Sequence, residues 1–357
     1  MNSTTGINLP ALRSHNTALV LGLLRTAGEA GISRLEVAER TGLTPQAVSK
    51  ITARLRAEGV AADAGRRAST GGKPRTLLRL VPGAAHAVGL HLDRDELTTV
   101  LVDLSGAPVT ARTAPLDLGA GAESVMAAVA REVVAVTARV DGVLGAGAAM
   151  PGPLDHATGV PHRVTGFPEW NGFPLRDTLA RRLGLPVVLD KDTNAAALGL
   201  ALRGGAGDSF AYLHLGTGLG AGLVLGGALY RGARTGAGEF GHQTVQLDGP
   251  PCDCGGRGCL EALCLAAVAR GDLAEAARVL GAGAANLAGL LDIDRVLLGG
   301  RVIGSAAEPF LRGVGAVLAE RAERGGERPV PVALAHGTPH PVAEGAAQLI
   351  LAPVFGL

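Results

Sequence analysis

The sequence predicts an α/β body carrying a separate, helix-rich winged helix-turn-helix head, and three observations carry that expectation. From residue 83 onward, strand-like runs such as AVGLHL, ELTTVLVDL, VLGAGAAM, PVVLD, FAYLHLG and RVLLGG alternate with helical ones. Residues 1–82 hold 12 Lys and Arg against 5 Asp and Glu, and the remainder holds 21 against 27, so a basic head sits on an acidic body although the net charge is only +1. Such asymmetry points to a nucleic-acid-binding module joined to something else. Hydrophobic residues make up 47% of the chain but aromatics 3%, with 54 glycines, so the core is expected to be built from Ala, Val and Leu with close backbone approaches.

A chain of 357 residues suits two or three domains. No apolar run reaches the roughly 18 residues of a membrane span, and MNSTTGINLP lacks the basic-then-apolar order of a signal peptide. The expectation is a cytoplasmic protein that does not enter a membrane. In that compartment, clustered cysteines hold metal more often than they form disulfides.

In the head, residues 1–82, TALVLGLLRTAG from Thr17 has apolar residues at helical spacing and ends at Gly28 and Gly31. Ser33 followed by Glu36 has capping-box spacing for a second helix, and Thr41-Gly42-Leu43 makes a short turn. A third helix starts at Thr44-Pro45, with proline at the favoured first position. Val48, Ile51 and Leu55 form its buried stripe, leaving Thr44, Gln46, Ser49, Lys50 and Arg54 as candidate DNA contacts on a recognition helix spanning residues 44–58. The Gly-rich basic loop that follows reads as a wing, in which Arg66, Arg67, Lys73 and Arg75 are suited to phosphates or the minor groove. A three-helix packing module with a solvated basic face is the alternative reading.

In the body, residues 83–357, Gly216 to Gly220 place a Gly-Thr-Gly-x-Gly turn between two apolar strands, a shape that suits phosphate and equally a plain Gly-rich hairpin. The cysteines speak more clearly. His242, Cys252, Cys254 and Cys259 supply one imidazole and three thiolates, a set suited to tetrahedral zinc, with Gly255, Gly256 and Gly258 letting the loop fold tightly. Four protein ligands leave no open position, so the zinc is expected to be structural. Cys264 reads as a small buried residue.

These motifs together resemble the ROK family of repressors, open reading frames and sugar kinases. The resemblance rests on GEFGH at 238–242, CDCGGRGCLE at 252–261, LGTGLGAGLVLGG at 215–227, MPGPLD at 150–155 and LLGGRVI at 297–303. It implies an actin-like, ribonuclease-H-like body of two lobes, residues 83–197 and 198–357, with a sugar site in the cleft between them. A winged helix ahead of that body is the arrangement of the family's repressors. The resemblance further assigns sugar contacts to Lys191, Asp192, Glu239, His242 and Glu261, with His242 serving zinc as well. Thr165 in VTGFPEWNG is a weaker candidate.

Three departures from the family pattern shape the expected function. The kinases' Asp-x-Gly-Gly-Thr phosphate motif is here His91-Leu92-Asp93-Arg94-Asp95, in which both glycines are lost and two carboxylates stand where phosphate oxygens would lie. Asp192 keeps the position of the kinases' general base. The Asn of the family's Asn-Asp pair is Lys191, which either pairs with Asp190 or Asp192 or selects a negatively charged sugar such as a sugar phosphate. The stretch from Glu261 to Gly299 is also shorter than the family pattern, so helices of the second lobe are expected to be missing. The expectation is therefore a homodimeric or higher oligomeric transcriptional regulator, a repressor, that binds a double-stranded operator and answers to a sugar or sugar derivative. A sugar kinase with a fused head, or a DNA-binding protein without a sugar, are the alternatives.

Overall fold

The computed structural model describes residues 15–67, 75–162, 164, 166–335 and 338–357, and the side chains of Arg66 and Arg67 lie outside that description. The head opens with α1 (His15–Ala27), then the short β1 (Ile32–Ser33), α2 (Arg34–Thr41) and α3 (Pro45–Ala57). The capping box forms as the spacing requires: Ser33 Oγ accepts from the Glu36 N–H, and Glu36 Oε2 accepts from the Ser33 N–H at 2.9 Å. Thr44 caps α3 by accepting from the Ala47 N–H, with Pro45 at the first helical position. Strands β2 (Ala61–Arg67) and β3 (Arg75–Leu80) pair antiparallel, and β1 adds to β3, giving the three-stranded β1-β3-β2 sheet of a winged helix.

The body holds two five-stranded sheets. In the first, β4 (His86–Leu92), β5 (Glu96–Asp103) and β6 (Pro108–Pro115) run antiparallel; α4 (Ala122–Thr137) then leads to β7 (Val143–Met150). The small ribbon of β8 (Leu154–Asp155) and β9 (Val160–Pro161) follows, then α5 (Leu175–Leu183) and β10 (Val187–Lys191). The order is β10-β7-β4-β5-β6. After α6 (Asp192–Arg203) the same plan repeats with β11 (Phe210–Leu215), β12 (Leu219–Leu225) and β13 (Ala228–Tyr230). Helices α7 (Leu260–Ala269) and α8 (Leu273–Leu291) lead to β14 (Arg295–Gly299), and α9 (Arg301–Ser305) and α10 (Ala307–Gly325) to β15 (Val332–Leu334), in the order β13-β12-β11-β14-β15. Each sheet is an antiparallel three-strand meander whose first strand carries two further parallel strands. That duplicated plan is the actin-like, ribonuclease-H-like architecture. The second lobe packs α7, α8 and α10 over its sheet within the shorter stretch after Glu261.

The last helix, α11 (Pro341–Leu351), crosses back from the stretch that sequence order gives to the second lobe and packs on β4, β5 and β7. It also packs against α6, and here the glycine content finds its use. A Cβ on Gly345 would strike the Ala195 carbonyl, and one on Gly89 would strike the Ala343 carbonyl. Only glycine lets these backbones touch. Beyond α11, the turn Ala352–Phe355 seats Val354 and Phe355 in one apolar cluster with Val20, Leu21 and Leu24 of α1. Arg25 lies 4.9 Å above the Phe355 ring and donates to the Ser105 carbonyl at 3.1 Å. Head and body therefore share a core. Among the described residues, no helix is long and apolar enough to cross a membrane.

Candidate functional site

The cleft between the two sheets collects the chemistry. Lys191 ends β10, Asp192 begins α6, Glu239 and His242 flank a turn after β13, and Glu261 stands in the first turn of α7. All five line one inner cavity of about 70 Å³, together with Arg94, Thr217 and the Gly218–Gly220 backbone of the β11–β12 hairpin. Glu239 and His242 also line an outer recess of about 530 Å³, whose other wall is Val164, Gly166, Pro168 and Asn171 with Asp253 and Cys254. The outer volume lies within the roughly 300–1,000 Å³ usual for small-molecule sites, and the inner one is far below it. Thr165 lies outside the described residues.

The carboxylates are held individually. Glu261 Oε2 accepts from the Leu219 N–H at 2.7 Å, which fixes its side chain on the glycine hairpin. Asp192 accepts from the Thr193 N–H. Burial pushes its carboxyl up to about 7, and the nearby Asp93 and Glu239 charges add to that, while Thr193 and Lys191 oppose it. Lys191 is buried and donates to the Ala237 carbonyl at 2.6 Å and to Glu239 Oε1 at 3.1 Å. The expected pairing of Lys191 with Asp190 or Asp192 is corrected here, because Asp190 is already engaged by Arg231 at 2.7 Å and by Asn194 at 2.8 Å. Lys191 thus takes up one of the expected sugar contacts.

On the side where the kinases' phosphate motif would lie, the β4–β5 turn reaches across the cleft. Asp93 Oδ1 accepts from the Thr217 hydroxyl at 3.1 Å, and Arg301 donates to both Asp95 oxygens at 3.1 and 3.2 Å. Burial works against the Asp93 charge, but the His91 ring, the Arg94 N–H, Thr217 and Arg301 outweigh it and hold the carboxyl below its ordinary range. A further cavity of about 370 Å³ lies beyond, lined by Asp93, His91, His214, Arg301, His340 and apolar residues including Leu298 and Val342. Burial holds the His214 ring down at about 4, with His91 adding to the effect, so it stays neutral near pH 7. Thr217 and Arg301 act in this arrangement although nothing in their local sequence singles them out as cross-cleft partners.

His242, Cys252, Cys254 and Cys259 bring one donor atom each to within 4.8 Å of one another. Cys254 and Cys259 sulfurs stand 3.7 Å apart, and Cys252 Sγ lies 3.8 Å from His242 Nδ1. Thiolates bound about 2.3 Å from a tetrahedral zinc stand roughly 3.8 Å apart, so the donor set and spacing fit that ion. Cys264 is buried and donates to the Ala276 carbonyl, apart from the cluster.

On the head, Thr44, Gln46, Ser49 and Lys50 lie exposed along the first two turns of α3. Arg54 is exposed but tied back, donating to Thr17 Oγ1 at 2.6 Å, so it braces α3 against α1. Arg75 is exposed at the start of β3. Arg66 and Arg67 have only their backbone described, in β2, and Lys73 lies outside the described residues.

A winged helix-turn-helix sharing a core with a two-lobed, actin-like body whose cleft is lined by carboxylates defines the class: a sugar-kinase-like fold with a DNA-binding type of head. The chain belongs to the ROK family, whose model matches residues 87–268, while a winged helix-turn-helix DNA-binding model matches residues 20–61. A putative xylose repressor from Caldicellulosiruptor sp. (strain Rt8B.4) is 32% identical over 236 residues, covering 64% of this chain and 59% of that protein. The match therefore spans under two thirds of that relative's length. The glucokinase of Thermotoga maritima is 45% identical over 132 residues, 36% of this chain and 41% of the enzyme. A crystal structure of a ROK family transcriptional regulator, a homologue of the Escherichia coli MLC protein, covers 96% of this chain and 97% of its own, with a TM-score of 0.76 at 21% identity, a likeness of fold.

Proposed function

We propose that this protein is a DNA-binding transcriptional repressor controlled by a sugar or sugar derivative held in the cleft, and that it is not a kinase. The observation that carries the reading is the Asp93–Thr217 contact: a carboxylate of the chain itself occupies the hydroxyl that a phosphate-binding hairpin would offer. A phosphoryl group brought there meets charge repulsion from Asp93 and Asp95, and the β4–β5 turn, His91-Leu92-Asp93-Arg94-Asp95, offers it no glycine backbone. Relatives named as xylose repressors support the same reading.

In this account α3 enters the major groove, with Gln46, Ser49 and Lys50 facing the DNA and Thr44 and Arg75 near the backbone. A sugar occupies the cleft where the inner cavity opens at Glu239 and His242, held by these two with Asp192 and Glu261 of the inner cavity, whose carboxylates and imidazole accept from hydroxyl donors. Structural zinc on Cys252, Cys254, Cys259 and His242 Nδ1 fixes the angle of the His242 ring. The ligand acts by favouring one separation of the lobes over another. Helix α6 starts at Asp192 in the cavity and packs on α11, whose C-terminal end lies under the head, so lobe movement and head position are mechanically joined. Operation as a homodimer on a pseudo-palindromic operator in the cytoplasm completes the reading.

The test is binding of the purified protein to its own upstream DNA against random duplex, with and without sugars. Equal affinity for both DNAs would end the repressor reading. A kinase is the second reading, favoured by the Asp192 carboxyl near pH 7 and by the adjoining 370 Å³ cavity. ATP-dependent ADP release on any sugar, abolished by Asp192→Asn, would establish it instead.

A further inference from the structure

A sugar in the cleft has room to grow in one direction. On its inner side the cavity of about 70 Å³ is bounded by the Gly218–Gly220 backbone, and Glu261 is fixed there by the Leu219 N–H. Asp93 lines both this cavity and the one of about 370 Å³ beyond, and its bond from the Thr217 hydroxyl spans the cleft between them. At the mouth, Glu239 and His242 are the two residues that the inner cavity shares with the outer recess of about 530 Å³. A ring held by Asp192, Glu239, His242 and Glu261 therefore touches the recess at its rim and leaves the rest of it unfilled.

The unfilled part has the make-up of a saccharide site. Pro153, Val164 and Pro168 supply apolar surface for the C–H face of a ring. Asn171 and Asp253, both exposed, supply polar groups: the amide donates and accepts, the carboxylate accepts, and hydroxyls answer both. Asn171 belongs to the first lobe and Asp253 to the second, in the loop of the His/Cys cluster. Gly166 leaves the wall open. It has φ of +86°, and a Cβ placed on it would meet no atom within 4 Å.

We propose that the outer recess is a second saccharide subsite and that the ligand is a disaccharide or longer oligosaccharide. One ring lies at Asp192, Glu239, His242 and Glu261, and the next unit lies in the recess with Asn171 and Asp253. The inference rests on the sugar-binding reading above and names the ligand class for it. A unit that touches both lobes adds to the ligand's preference for one lobe separation, which is the quantity that moves the equilibrium.

The test is calorimetric titration of the full chain with a panel in which each hexose and pentose is matched to its methyl glycoside, its N-acetylamino analogue and the disaccharides built from it. The expected result is that a disaccharide binds roughly 10- to 100-fold more tightly than its parent monosaccharide, while the small derivatives gain less than about threefold. Gly166→Asn puts into the recess a side chain of the kind best tolerated at positive φ, and Asn171→Ala removes a polar contact. Each should abolish most of the disaccharide's advantage and leave the monosaccharide within about twofold. Asn171→Ala carries the test alone if Gly166→Asn does not fold. Monosaccharides that bind as tightly as every disaccharide, an advantage already complete in the small derivatives, or one that survives the substitutions overturns the inference and leaves the sugar reading standing. No binding by any member overturns both, which is a separate result.

Discussion

Lys191 Nζ stands 3.1 Å from Glu239 Oε1, a buried ammonium against a carboxylate that is about a third exposed, at the point where the inner cavity meets the outer recess. The pair closes one wall of the site and engages two of the proposed sugar contacts with each other. Removing only the cation, as in Lys191→Ala, leaves Glu239 uncompensated and empties buried space. A loss on the order of 1 to 3 kcal/mol is expected in urea unfolding, the figure being discounted for Glu239's partial exposure. Lys191→Asn, which restores an amide that both donates and accepts, should instead free Glu239 and raise affinity for neutral sugars in calorimetry.

The His242, Cys252, Cys254 and Cys259 cluster is expected to carry one zinc ion per chain by elemental analysis. Cys259→Ser or prolonged chelation should release it and lower Tm by on the order of 5–10 °C. Sugar affinity should fall with it, because His242 serves both the cluster and the cavity.

Asp192 gives a pH signature. Its carboxyl rises from an ordinary 3.8 to about 7 on folding, so the native state holds the proton more tightly than the unfolded chain. The associated stability is complete below about pH 4 and is lost as pH rises through about 7. The stability of Asp192→Asn relative to the natural chain should therefore climb between pH 4 and 7, by on the order of 2 to 4 kcal/mol, and level off above that. A flat difference across that range would show that the carboxyl is ordinary.

The shared core of head and body makes Phe355 a joint. Phe355→Ala should cost roughly 3 to 5 kcal/mol. It should also separate the melting of the head from that of the body in calorimetry, because Phe355 lies in the cluster with Val20, Leu21 and Leu24.

Much of this organisation is legible in local sequence. Ser33 and Glu36 announce a helix start because a capping box is a contact over three residues, and the His/Cys cluster is visible because its cysteines are close in the chain. The strands of the two sheets show as apolar runs, whereas β6 does not: PVTARTAP is almost wholly exposed, so no buried face imposes a period. The cleft was less readable because its partners meet from far apart. Asp95 and Arg301 are 206 residues apart, and the choice of Glu239 for Lys191 depends on Arg231 having taken Asp190. The return of α11 to the first sheet likewise depends on Gly345 touching Ala195, a fit that only the assembled helices define.

The most direct test of the account is fluorescence anisotropy of a labelled upstream DNA fragment with the full chain, at fixed salt, while members of the sugar panel are added. The account predicts binding on the order of 10³-fold or more tighter than to random duplex. It also predicts weakening with salt by a slope that Lys50→Ala reduces by about one, and release of the fragment by at least one sugar. Equal affinity for random duplex, or a complex that no sugar disturbs, would contradict it.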